Sequence, residues 1–181
     1  MKEILIDRKP PDWVVSGYIG RMTPLAWLVG LLLPACAAIG AGGLPRPPLL
    51  DMAHISRPAS PNTALAAPAG FQPAPDIVTP VYPISAEQLF TAVAAVAAAQ
   101  PRTWSAAIYS RHHQAHWVVR SAVFNFPDLV TAQIVPAGLG GATLVLYSRS
   151  IYGYSDLGVN RRRVVAWLAA LDRTLNPAKE R

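Results

Sequence analysis

No Asp, Glu, Lys or Arg stands between Arg21 and Arg46, and the uncharged run from Met22 to Pro45 is mostly apolar. A bilayer's hydrocarbon core is about 30 Å thick and is crossed by about 20 apolar residues in a helix. The run therefore predicts a transmembrane helix over residues 22–44 behind a leader, 1–21. Lys2, Arg8, Lys9 and Arg21 precede it, whereas Arg46 and Arg57 follow. That bias predicts a single pass through a bacterial inner membrane, N-terminus cytoplasmic and C-terminal part periplasmic. Pro34 should bend the helix. Ala26 with Gly30, and Cys36 with Gly40, are small residues four apart that would let another helix approach.

An alternative is a leader removed before lipidation, since Leu33-Pro34-Ala35-Cys36 resembles a bacterial lipoprotein cleavage box. The lone cysteine, Cys36, lies in the apolar run, so the rest of the chain has no disulfide framework and must hold by packing. Of the net charge of +6, residues 86–181 supply +5, from ten Lys/Arg against five Asp/Glu. A basic domain usually suits nucleic acid or anionic lipid. Outside the cytosol nucleic acid is not expected, which leaves acidic protein surfaces and lipid head groups.

Ten of the eighteen prolines fall between Leu44 and Pro83. So many missing donors predict an extended strap over residues 45–84 rather than a helix or a central strand. A strap of this kind needs a surface to lie on, which suggests a partner. The folded domain, 85–176, opens at Ser85, whose spacing to Gln88 reads as a capping box, with Ile84 and Leu89 as its hydrophobic staple. A helix is predicted from Ala86 to Ala99, with strands near Thr103–Ser110, His116–Phe124, Leu129–Val135 and Ala142–Arg149. A last helix from Asn160 to Leu175 carries Val164, Leu168, Leu171 and Leu175 at core spacing, and residues 177–181 form a tail. The expected fold class is α+β: one transmembrane helix, then about four antiparallel strands covered by two helices.

The junction between last strand and last helix runs Ser148-Arg149-Ser150-Ile151-Tyr152-Gly153-Tyr154-Ser155-Asp156-Leu157-Gly158-Val159-Asn160-Arg161-Arg162-Arg163. It closely resembles the signature of domain-of-unknown-function family 1499, whose members look like SRxGxSDLGxNRxR followed by an amphipathic helix. Arg57-Pro58 before Ser60-Pro61-Asn62 is similar to that family's opening motif, and Phe126-Pro127-Asp128 to its aromatic-acid strand turn. The resemblance covers roughly residues 57–175 and implies a bacterial envelope or thylakoid-lumen setting; it implies no activity. The chain departs from the pattern at Ile151, Tyr152 and Tyr154.

Two readings of the junction stay open. Ser148, Arg149, Ser150, Gly153, Ser155, Asp156, Gly158, Asn160 and Arg161 can form an anion site for a phosphate, a carboxylate or a lipid head group, helped by the helix N-terminus. Equally, Asp156 can cap the helix and pair with Arg149 while Asn160 closes the turn, all for structural reasons. His112, His113 and His116 are the only histidine cluster, with no cysteine or carboxylate near in sequence, so no metal is expected. No nucleophile–base arrangement is visible and no cofactor is expected. The resulting expectation is a noncatalytic accessory subunit docking on a larger integral membrane complex, respiratory or photosynthetic. Its partners would be that complex's subunits and membrane lipid, with contacts through Ala26, Gly30, Cys36, Gly40, Arg57, Ser60, Pro61, Asn62 and Arg162. The alternative is a periplasmic anion- or head-group-binding module, enzymatic or not, built around residues 148–163.

Overall fold

The computed structural model describes residues 39–177. Their scaffold is a seven-stranded mixed sheet. In chain order the strands are β1 (Thr63–Pro68), β2 (Ile77–Thr79), β3 (Val81–Tyr82), β4 (Thr103–Tyr109), β5 (Gln114–Arg120), β6 (Pro127–Pro136) and β7 (Ala142–Ser150). Helix α1 (Ala86–Ala99) lies between β3 and β4, and α2 (Val159–Leu175) follows β7. The sheet order is β2-β1-β7-β6-β5-β4, with β3 paired to the start of β7. Only the β1–β2 pair is parallel. The long antiparallel pairs β4–β5–β6–β7 form one meander.

Both helices begin where the chain chemistry says they should. Ser85 accepts from the Gln88 N–H, and the Gln88 side chain accepts from the Ser85 N–H, closing the capping box that starts α1. At α2 Gly158 occupies the left-handed region, φ +78°, that a side chain disfavours. The two helices cover one face of the sheet. Leu89, Val93 and Val96 of α1 and Val164, Trp167 and Leu171 of α2 are buried against Trp117, Val130, Ile134, Leu144 and Leu146. Ala64 and Ala66 of β1 lie in the same cluster, and their small side chains keep the layers close.

The opposite face is covered by the chain itself. Leu50, Met52 and Ile55, together with Phe71, pack on Leu65, Ala67, Val145 and Tyr147. Gln114 clamps this cover at one point: its side chain accepts from the Leu50 N–H at 2.8 Å and donates to the Leu50 carbonyl at 2.8 Å. The Tyr109 hydroxyl donates to the Pro47 carbonyl at 2.7 Å, and the Arg46 guanidinium stands over the Tyr109 ring. Arg120, 2% exposed, donates to the Gly40 carbonyl at 2.7 Å and the Gly42 carbonyl at 2.9 Å. With both faces sheltered, every residue of β5 is buried.

The fold class expected from sequence is therefore corrected. There are seven strands in a mixed sheet rather than about four antiparallel ones, and two faces are covered rather than one. The additional strands come from the proline-rich stretch. None of its prolines interrupts a strand: Pro68 ends β1, and Pro80 separates β2 from β3.

The transmembrane helix is corrected as well. Among the described residues no helix is long and apolar enough to cross a membrane. The expected span lies outside the described residues as far as residue 38, with Ala26, Gly30 and Cys36 in it. Its remainder, 39–44, is a turn and extended chain rather than helix. Gly40 and Gly43 take φ +66° and +75° there, outside the right-handed helical region. Gly40 faces the Trp104 ring, not a neighbouring helix. The single-pass placement in a bacterial inner membrane, and the description as a membrane protein, have no support in this structure.

Candidate functional site

The signature junction divides between two faces of β7, because successive side chains of a strand point to opposite sides. Ser148 points to the helix side and is fully buried. Its hydroxyl donates to Asn160 Oδ1, and the Arg163 guanidinium donates to both, at 3.0 Å and 2.6 Å. Asn160, also fully buried, donates through Nδ2 to the Asn62 carbonyl at 2.9 Å and the Ser150 hydroxyl at 3.0 Å. Arg163 closes the network on Asp128 at 2.6 Å, a pair with side chains 10% and 8% exposed. Asp156 accepts from the Gly158 N–H at 2.9 Å and the Asn160 N–H at 2.7 Å, occupying two of the donors at the start of α2. For these residues the structural reading accounts for the polar groups.

Arg149 behaves differently. Its side chain points to the other side of the sheet, does not pair with Asp156, and makes no hydrogen bond or ion pair with any described residue. It borders two hollows between the strap and the sheet. One is an open cleft of about 680 Å³ whose polar lining includes Ser60, Asn62, Tyr147 and Ser150, with Asp51 and His54 also bordering it. The other, of about 250 Å³, is walled mainly by Leu44, Pro45, Pro47, Val118, Leu129 and Ile151. Arg149, Leu50 and Ile151 belong to both.

Tyr147 adds a second unengaged polar group. The residue is 3% exposed, and its buried hydroxyl has no hydrogen-bond partner among the described residues. Burial pushes the phenol's pKa up, with Arg149 acting in the opposite direction. The Thr63 hydroxyl also lies close enough to act on it, but accepts from Arg57 at 3.2 Å and does not complete a bond to the phenol.

The other expected site residues spread over the molecule. Ser150 and Gly153 line the cleft, and the Gly153 carbonyl accepts from Asn62 at 2.6 Å. The Ser155 hydroxyl accepts from the Leu157 N–H, and Gly158 provides the bend into α2. Arg161 and Arg162 border a shallow groove on the outside of α2, where Arg162 also donates to the Leu157 carbonyl at 2.9 Å. Of the expected partner contacts, Arg57 pairs with Asp76 at 2.8 Å, Ser60 donates to Asn62 at 2.8 Å, and Pro61 is exposed at the bend before β1.

The histidines do not converge, and the described residues hold no cluster that could hold a metal ion. His113 stacks edge-on to Phe90 at 5.9 Å on the helix side. His116 is fully buried on the strap side, bonded to Thr131 at 2.9 Å and Gln114 at 3.0 Å. Burial, and secondarily the Arg149 charge, lowers its pKa to about 4, so the ring is neutral near pH 7. His54 stands 2.7 Å from Asp51 at the cleft's rim.

Sequence reasoning missed Tyr147 and the strap residues that wall the hollows. The alternation Val145-Tyr147-Arg149 contained the signal: an apolar side of a strand that ends in two polar groups on one face.

The architecture is that of an α+β protein with one sheet face under two helices and the other under its own strap. The chain belongs to the family described as Protein of unknown function (DUF1499), whose model matches residues 55–171. That match begins beyond the Leu44–Leu50 stretch bordering the smaller hollow. No curated protein matches the chain. Among solved structures, TTHA0849 from Thermus thermophilus is similar over 64% of this chain and 98% of that one, at 11% identity and a TM-score of 0.35. A likeness that weak carries no argument about fold or function.

Proposed function

We propose that this protein is a binding module for a small anionic ligand held in the cleft between strap and sheet. The observation that carries the reading is Arg149, a guanidinium without a described partner at the junction of two hollows. Arginine offers a planar fork of donors matched to carboxylate and phosphate oxygens, and charge-assisted bonds of this kind are about twice as strong as neutral ones. Tyr147, Ser60 and Ser150 line the same cleft. The reading puts the anion site on the strap side of β7 rather than at the start of α2, where the Asp156 carboxylate already sits on two of the N–H groups.

Thermal denaturation of the full chain with inorganic phosphate or acetate, against chloride at matched ionic strength, tests this reading. A ligand at about 100 times its Kd stabilises the folded state by about 2.7 kcal/mol. The midpoint should rise with either anion and not rise in Arg149→Met. No rise with any anion, or an equal rise in the variant, would refute it.

A second reading, an accessory subunit of a larger assembly, is supported by the β5–β6 connection. Val123 and Phe124 are 83% and 67% exposed there, with Phe126 beside them. Exposed apolar groups clustered in this way mark contact surfaces. Migration of the native protein as a lone monomer through mild extraction and sizing would count against it.

A further inference from the structure

We infer that the ligand is an anionic amphiphile: a carboxylate or phosphate head at Arg149 and Tyr147, and an unbranched apolar tail in the hollow beneath Leu44–Pro48. This rests on the anion reading above and specifies what the anion is attached to.

Three observations carry it. The hollows differ in character yet share Arg149: Ser60, Asn62, Asp51 and His54 give the larger a mixed polar lining beside Leu50 and Ile55, whereas aliphatic side chains and prolines, with Arg46, wall the smaller. A head bound at Arg149 therefore has an apolar room adjoining it, with Leu50 and Ile151 common to both spaces. Tyr147, two residues from Arg149 on the same side of β7, holds a buried donor with no acceptor among the described residues. A phenol in that state gains a bond from an incoming oxygen and loses little water to make it. Finally, the roof of the apolar room is Leu44-Pro45-Arg46-Pro47-Pro48, in which the three prolines have no N–H to leave unsatisfied beside a hydrocarbon tail. A small polar anion would use the cleft and leave the apolar room without an occupant; an uncharged lipid would leave Arg149 and Tyr147 without theirs.

The test is a chain-length series on the full protein by titration calorimetry: acetate, hexanoate and dodecanoate, then inorganic phosphate, hexyl phosphate and dodecyl phosphate, all below their micelle concentrations. Comparing the two series distinguishes a fatty acid from a lipid phosphate as the source of the head. Affinity should rise by up to about fourfold for each methylene buried, levelling once the room is full. Dodecyl maltoside, with the same tail and no charge, should bind at least tenfold more weakly than the better dodecyl anion. Arg149→Met should lose the anions of every length. Leu129→Trp, which fills the apolar room, should keep acetate or phosphate binding and lose the length dependence; Val118→Phe is the second room-filling variant, with folding checked by circular dichroism. Affinity independent of tail length in the wild-type chain would overturn this inference while leaving the anion reading intact. Binding of none of the anions would overturn both.

Discussion

Replacing Asn160 by Leu should be among the most damaging single changes to this fold. The side chain has no exposed surface and makes four hydrogen bonds: from the Ser148 hydroxyl and Arg163, and to the Asn62 carbonyl and the Ser150 hydroxyl. Leucine approximates the volume but can neither donate nor accept. Leaving a buried polar group without its partner costs about 1–3 kcal/mol each. The Ser148 and Asn62 bonds are fully buried, whereas the other two are only partly so. Ser148 also keeps its bond from Arg163. The expected loss is then about 3–6 kcal/mol, a large share of the 5–15 kcal/mol that holds a typical domain. Urea denaturation should show the midpoint falling with an unchanged m-value. Because Ser148 and Asn160 share a bond, Ser148→Ala should cost less after Asn160→Leu, where only the bond from Arg163 is left to lose, than in the wild-type chain. A loss under about 1 kcal/mol for Asn160→Leu, or full additivity with Ser148→Ala, would refute the argument that this network holds the junction together.

The strap and its underlying polar groups supply two further predictions. His116 has its pKa lowered in the folded state to about 4, below the unfolded value near 6.5. Below pH 6.5 the unfolded chain gains a proton that the folded chain refuses, so stability falls as pH drops toward 4, by at most about 3 kcal/mol at 1.36 kcal/mol per pKa unit. His116→Phe should flatten that part of the pH–stability curve; an unchanged slope would show that other groups produce it. Gln114→Ala removes both bonds to the Leu50 backbone, and hydrogen exchange at the Leu50 amide should then quicken at least tenfold more than at the core strands. Equal quickening at Leu50 and in β6 would mean the strap has no independent motion to release.

The legible parts of this chain were those whose determinants are close in sequence. Ser85 and Gln88 mark the start of α1 because a capping box is a contact over three residues. The meander β4–β7 was readable from alternation and from short connections such as Gly138–Gly141. β1 was not readable, because what makes Thr63–Pro68 a central strand is the opposing stretch of β7, with Thr63 across from Arg149. Local propensity counts prolines and alanines but not a partner some eighty residues away. The strap needed a surface, as its composition required, and the surface is the chain's own sheet. For the junction, residue types alone allowed both a ligand site and a structural joint. Side-chain direction along β7 separates them, sending Ser148 into the joint and Arg149 into the cleft.

The pairing of β1 with β7 sets a condition on how the molecule can assemble. Ala64 to Ala66 find their antiparallel partners at Leu146 to Ser148, so the middle of the sheet stays open until β7 is available. Closing so large a loop is entropically slow, although each doubling of its length adds only about 0.6 kcal/mol. Until that closure, the aliphatic underside of the meander has neither β1 beside it nor α2 across it, and the nascent protein is at its most adhesive just before these elements dock.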